Sequence, residues 1–221
     1  MQTQLPTVLA LALLAGCGGG GMGTASVSTP AAVPAVSYFP LEPGLVRIYD
    51  GEHDGLPVRE EVTTLRSPRT IAGVACIGEQ TLVWVDGVLT EFAVEWFARD
   101  LFGNVWKFGE DTRERARGFN PSADSWLAGQ RGGEAWIAMP VDLQPGLEFT
   151  GYRPRGSDTF VVESTTETVE LDAGVFTDCA RIVENPNEPD DRDILLFAPG
   201  VGRVVEETSS GYIVLSAVRR P

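Results

Sequence analysis

Histidine and cysteine are scarce in this chain of 221 residues, which has one His and three Cys. That scarcity excludes much chemistry. The single histidine, His53, sits in the polar turn Glu52-His53-Asp54-Gly55, so any Ser-His-Asp catalysis would have to run through it. No G-x-S-x-G nucleophile elbow accompanies it, and a turn role suits it better. A structural zinc takes four Cys or His ligands, more than His53, Cys76 and Cys179 can supply. Neither Cys76 nor Cys179 has a base beside it, which argues against a cysteine nucleophile. Positive charge is also short. Seventeen Lys and Arg stand against 31 Asp and Glu, a formal charge of −14. That is the wrong sign for nucleic-acid phosphates and for a folded face on anionic lipid. No apolar run reaches the roughly 20 residues of a membrane-spanning helix. The residues imply no cofactor and no metal site.

What is present begins at the N-terminus. Val8 to Ala15 reads V-L-A-L-A-L-L-A without a charge, a short apolar run of the secretory type. Leu14-Ala15-Gly16-Cys17 follows and resembles the lipobox of bacterial lipoproteins, in which the chain is cut before an acylated cysteine. Two or more acyl chains give stable anchoring. The resemblance implies a signal peptide at 1–16, lipid attachment at Cys17 and a membrane as partner. The first residues, Met1-Gln2-Thr3-Gln4, lack the usual Lys or Arg. Residues 18–37 are Gly, Ser, Thr, Ala, Val and Pro with Met22, a composition that reads as a flexible tether over 17–37. Position 18 is Gly rather than the Asp of inner-membrane retention, which points to the outer membrane in a cell that has one. The folded body is expected over 38–221, long enough for one substantial core.

The body reads as all-β. Val83 to Leu89 is strand, Asp-Gly turn, strand, a strong hairpin signal. Phe92 to Ala98 and Val105 to Phe108 flank a second turn, with Gly103 or Asn104 at positive φ. Phe160 to Leu171, Ile194 to Ala198, Gly202 to Thr208 and Tyr212 to Val218 supply further strands. Glu110 to Gly118 could form one or two helical turns. The expected fold is a curved antiparallel sheet or half-barrel. It also looks duplicated, with pseudo-repeats at 38–140 and 141–221. Pro43-Gly44-Leu45 recurs as Pro145-Gly146-Leu147, Ala72-Gly73-Val74 as Ala173-Gly174-Val175, Phe97-Ala98 as Phe197-Ala198, and Glu110-Asp111 as Glu206-Glu207. Their collinear order marks a repeated unit of about 100 residues. Cys76 and Cys179 become equivalent positions, which could approach each other across a pseudo-twofold axis. They are either a disulfide, which an exported protein permits, or two buried thiols.

Three motifs carry a wider resemblance. Tyr38-Phe39-Pro40-Leu41-x-Pro43-Gly44 opens the body, Trp96-Phe97-Ala98-x-Asp100-x-x-Gly103-Asn104-Val105-Trp106-x-Phe108-Gly109-Glu110-Asp111 stands at its centre, and Ala198-Pro199-Gly200-x-Gly202 closes it. They are similar to the Y-F-P-L-x-x-G, W-Y-A-x-D-x-x-G-N-V-W-Y-F-G-E-D and A-P-G-V-G motifs of an uncharacterised family of bacterial exported proteins. This chain departs at Arg47, where the family has Trp, and at Lys107, where it has Tyr. The resemblance implies export and a β fold, and no particular chemistry.

Candidate sites cluster at the second hairpin. Trp96, Asp100, Trp106, Phe108 and Glu110 could form an aromatic groove edged by carboxylates, suited to a sugar or another flat ligand. The same spacing suits a core, because Trp96 and Ala98 share a strand face, as do Trp106 and Phe108. Glu95 with Glu110, or Asp100 with Asp111, could be a hydrolytic pair, although chance pairs are expected among 31 acids. Glu188 to Asp193 is acidic but lacks calcium-loop spacing. Three functions stay open. They are a membrane-tethered envelope lipoprotein binding a ligand or protein partner, a carboxylate-based envelope hydrolase acting on glycans, and a purely structural envelope protein.

Overall fold

The computed structural model describes residues 37–221, apart from 124, 154 and 155. The signal peptide, Cys17 and the tether therefore lie outside the described residues. The strands are β1 (Val46–His53), β2 (Leu56–Thr64), β3 (Arg69–Ile71), β4 (Val74–Val85), β5 (Val88–Arg99), β6 (Val105–Glu114), β7 (Trp126–Leu127), β8 (Trp136–Met139), β9 (Glu148–Arg153), β10 (Gly156–Leu171), β11 (Gly174–Glu184), β12 (Asp193–Ala198), β13 (Gly202–Thr208) and β14 (Gly211–Arg219). The all-β expectation holds. Of the one or two helical turns expected over 110–118, a single short one forms. Glu110 to Glu114 continue β6 as the cross-strand partners of Glu91 to Glu95, and Arg115–Arg117 make one 3₁₀ turn. A stretch without an apolar stripe gains more from that ladder than from a solvated helix.

The strands form one antiparallel sheet in the order β7-β6-β5-β4-β2-β1-β14-β13-β12-β11-β10-β9, with β3 on β4 and β8 on β6. It curls strongly. At one end Trp136 of β8 stacks on Phe160 of β10, rings 5.9 Å apart and 17° from parallel. A Cβ added at Gly151 of β9 would lie 2.8 Å from the Trp136 ring. The two ends meet through these side chains, while the hydrogen-bonded path still runs from β7 to β9 without closing.

Turn residues do what their chemistry predicts. Asp86 and Gly87 take φ of 48° and 71° between β4 and β5, and Gly103 takes 101° between β5 and β6. Two glycine turns match in detail. Gly44 N–H donates to Thr64 O at 2.8 Å and Thr64 N–H to Leu45 O at 2.9 Å. Gly146 N–H donates to Val162 O at 2.8 Å and Val162 N–H to Leu147 O at 2.9 Å.

Two bulges also match. On β6, Trp96 pairs with Gly109 but Phe97 with Lys107, leaving Phe108 as the extra residue. On β13, Leu196 pairs with Val205 but Phe197 with Arg203, leaving Val204 extra. A bulge resets the in–out alternation of its strand. Lys107 and Glu110 therefore share a face, and so do Arg203 and Glu206, though each pair is three residues apart.

The core has three clusters. One gathers Tyr49, Val62, Cys179, Val204 and Leu215. A second gathers Phe97, Val105, Met139, Val162 and Ile182, with Tyr38, Phe39 and Leu41 of the opening segment packed on it. The third holds Ile71, Cys76, Trp126 and Ala128. Cys76 and Cys179 thus belong to different clusters, and both are buried free thiols. This corrects the disulfide alternative. Equivalent places in two sheet segments did not bring the cysteines together, because each points into its own packing cluster.

Candidate functional site

The inner face of the curled sheet encloses a cavity of about 330 Å³. Strand alternation aims its polar wall inward. Arg47 and Tyr49 of β1, Glu60 and Val62 of β2, Glu79 and Thr81 of β4, and Glu95 and Phe97 of β5 all line it in steps of two. The bulges add Lys107 from β6 and both Arg203 and Glu206 from β13. Phe39, Trp136, Phe160 and Phe197 supply an aromatic wall.

Each cation is paired. Arg47 donates to Glu79, which also accepts from the Thr64 hydroxyl at 3.1 Å. Arg203 donates to Glu60 and to Glu206. Lys107 Nζ lies 2.5 Å from both Glu95 and Glu110. Burial disfavours the Arg47 cation, but Glu79 outweighs it and holds the group above its ordinary range. Lys107 is raised in the same way by Glu95 and Glu110. Tyr49 donates its hydroxyl to Arg203 O at 2.9 Å, and the Arg203 guanidinium stands 4.7 Å from the Tyr49 ring centroid. Gly202, at φ 101°, lets Arg47 lie against it, since a Cβ there would collide with the Arg47 guanidinium.

Two buried donors behind this wall have no acceptor among the described residues. They are Arg47 Nε and Trp136 Nε1. A buried donor left unpaired costs about 1–3 kcal/mol. Both nitrogens are closed off from the open space of the cavity, and Trp136 and Phe160 stack on each other.

The residues singled out from sequence are divided by the structure. Trp96 and Phe108 pack on the third cluster, around Ile71, Cys76 and Trp126. Trp96 also meets Arg69, whose guanidinium carbon is 5.2 Å from the ring centroid, in a shallow groove with Asp111 and Arg113. Asp100 organises its own turn. It accepts from Phe102 N–H, Asn104 N–H, Asn104 Nδ2 and Trp106 Nε1, each at 2.9 Å. These bonds outweigh the effect of burial and hold its carboxyl below the usual range. Trp106 is thereby committed to that turn. Glu110 is the one member that joins the cavity network, through Lys107. Arg47, Glu60, Glu79, Lys107, Trp136 and Arg203 were not foreseen as site residues. For the charged ones the sequence signal is a charge at an inward strand position; Trp136 has none.

The hydrolytic pairings fare poorly as chemistry. Glu95 and Glu110 share one lysine. Although burial opposes it, Lys107 holds Glu95 below the ordinary range, the reverse of what a general acid needs. Asp100 is capped, and Asp111 is paired with Arg113 at 2.8 Å. His53 Nδ1 lies 3.0 Å from Ser210 Oγ and its Nε2 3.7 Å from Asp54. That row stands on an exposed turn, with the imidazole 54% exposed, where no wall excludes water. Among the described residues no cluster of His, Cys, Asp or Glu could hold a metal ion, the Glu188 to Asp193 loop included.

No family model matches the chain, and no curated protein does. Among solved structures it is similar to a candidate exported protein with a YmcC-like fold from Bacteroides fragilis. The TM-score is 0.48 at 15% identity, covering 84% of this chain and 100% of the other. That likeness is too distant to carry function.

Proposed function

We propose that this is an exported lipoprotein, tethered through Cys17 to a bacterial membrane, whose body binds a small neutral polar ligand in the sheet's inner cavity. The observation that carries the ligand is the cavity of about 330 Å³, where inward-facing ion pairs share a wall with aromatic rings. Each of the three cations lining the cavity already has a carboxylate partner, so a ligand need bring no charge. Acceptor oxygens on a flat or ring-shaped body fit best, as in a sugar. The lipobox, the short apolar run and the Gly-rich segment support the tether. The outer membrane is the reading of Gly18 in a cell with two membranes.

The opening, central and closing motifs support membership of the uncharacterised exported family. Arg47 and Lys107, the departures from its pattern, are both cavity cations. The matched glycine turns and matched bulges support an ancestral duplication of a five-strand unit, β1 to β6 without β3 and β9 to β13.

The test is a thermal-shift screen of the purified chain against neutral glycans, lipids and Ca²⁺. A ligand at 100 times its Kd adds about 2.7 kcal/mol to stability. A glycan should raise Tm, and Trp136→Ala should remove most of that rise. No shift with any compound would sink the small-ligand reading and leave a protein partner or a purely structural role. For the tether, Cys17→Ala should release the protein from membranes. A mutant that still sediments with them refutes the anchor.

A further inference from the structure

Leu101 and Phe102 are the most exposed large apolar side chains among the described residues, at 96% and 79%. They occupy the tip of the β5–β6 turn. Exposed apolar tips are usually mobile, but this one is fixed from beneath by the four hydrogen bonds to Asp100. It is also fixed to the start of the body. Arg99 donates through Nη1 to Gly103 O at 2.8 Å, and through Nη2 to Ser37 Oγ and Phe39 O, both at 2.9 Å. Ser37 O in turn accepts from Gly200 N–H at 2.8 Å. The apolar tip therefore stands beside the point where the preceding 36 residues join the body.

Charge around that point is mixed. Arg66 lies against Gly44, Arg99 bonds Ser37, Arg219 pairs opposite Val46, and Arg220 bonds Gly200 O at 2.9 Å. The acids bonded into the same region are Glu42, which pairs with Arg220, the capped Asp100, and Asp178, whose carbonyl accepts from Tyr38 at 2.8 Å. Asp142 follows Val141, which is bonded to Asn104 at 3.0 Å. The β10–β11 hairpin reaches the same end and adds Glu167, Glu170 and Asp172, so the arginines offset only part of its acidity. A zwitterionic headgroup layer, unlike an anionic one, does not repel such a face.

We infer that Leu101 and Phe102 dock into the headgroup layer of the membrane that holds the lipid, setting the body upright with its opposite end outward. This rests on the tether at Cys17. Nineteen residues separate Cys17 from Ser37, and a coil of their composition spans about 25 Å on average, so the tip stays within reach of the bilayer. Two such side chains bind weakly alone, but an anchor a short coil away raises their effective concentration. Val88, at the far end of the 12-residue β5, lies roughly 40 Å from the tip and should stay in water.

The experiment uses the lipidated full chain reconstituted in phosphatidylcholine vesicles, with and without bromine on the acyl chains. The F102W chain should lose fluorescence in brominated vesicles beyond the loss from its five native tryptophans. The V88W chain should show no excess loss. Adding Leu101→Asp to F102W should abolish the excess, and because Leu101 touches little, the fold should survive. A chain that floats with vesicles but shows equal quenching at positions 88 and 102 overturns the docking and leaves the tether standing. A mature chain whose mass carries no lipid overturns the tether, and the docking with it.

Discussion

Arg47 donates to Glu79 across the width of β2, and the two side chains are only 3% and 6% exposed. A buried ion pair of this kind adds little stability against an apolar replacement of both partners. Removing one partner alone strands a charge and costs about 3–5 kcal/mol. Glu79→Ala should therefore destabilise the fold by that amount in urea unfolding. The double variant R47M/E79L should recover most of the loss. If E79A costs under about 1 kcal/mol, water reaches Arg47 and the pair is not the sealed feature its burial indicates.

Glu91 belongs to the other end of the same interior. It shares a groove with Glu60 and Glu206 and stands directly opposite Glu114 on β6. Burial pushes its carboxyl up, and Glu60, Glu114, Glu95 and Glu110 push the same way. A folded-state pKa above the unfolded value means stability is lost as pH rises through the folded value. Glu91→Gln removes that loss. It should stabilise the protein by about 0.5 kcal/mol at pH 7, the scale of a like-charge cross-strand pair. The gain should vanish near pH 4, where Glu91 is protonated in both states. Tm measured from pH 4 to 8 for both chains checks the slope, and a gain independent of pH would point to packing instead.

The strand content was legible because alternation and turn chemistry are local. Asp86-Gly87 and Gly103 mark their hairpins, and β13 runs from Gly202 to Thr208 as the pattern of branched residues indicates. The cavity was not legible, and the bulges are the reason. Strict period-two counting puts Lys107 and Glu110 on opposite faces, whereas the extra residue Phe108 puts them together. Val204 does the same for Arg203 and Glu206, with no glycine at the bulge itself to announce it. The aromatic block drew attention to Trp96 and Phe108, whose spacing equally fits the core they enter. Trp136 escaped notice because β8 is four residues long, and it reaches the cavity only through the curl that sets it on Phe160.

Asp100 offers a test of a turn held by one carboxylate. It accepts four hydrogen bonds, and its pKa is depressed by them despite the effect of burial. Asp100→Ala should cost about 2 kcal/mol at pH 7, the range for hydrogen bonds to a charged group. A depressed folded-state pKa contributes stability above the unfolded value, lost as pH falls through the folded one. The deficit of D100A should therefore shrink toward pH 2. Amide exchange at Phe102 and Asn104 should quicken in the variant. Unchanged exchange there would show that Arg99, bonded to Gly103 O and Phe39 O, holds the turn by itself.

The two body cysteines give a reading of both fold and export. Cys76 and Cys179 are fully buried in different clusters, and burial raises both thiols above their ordinary range. A raised and shielded thiol is a poor nucleophile even in an oxidising compartment. The native protein should therefore leave a chromogenic thiol reagent almost unreacted over minutes. In denaturant the mature chain should titrate two thiols, because acylation occupies Cys17. Three thiols would mean an unmodified Cys17, and the tether would fall. None would mean that Cys76 and Cys179 are bonded after all, and that the core clusters around Ile71 and Tyr49 are packed differently from the arrangement described.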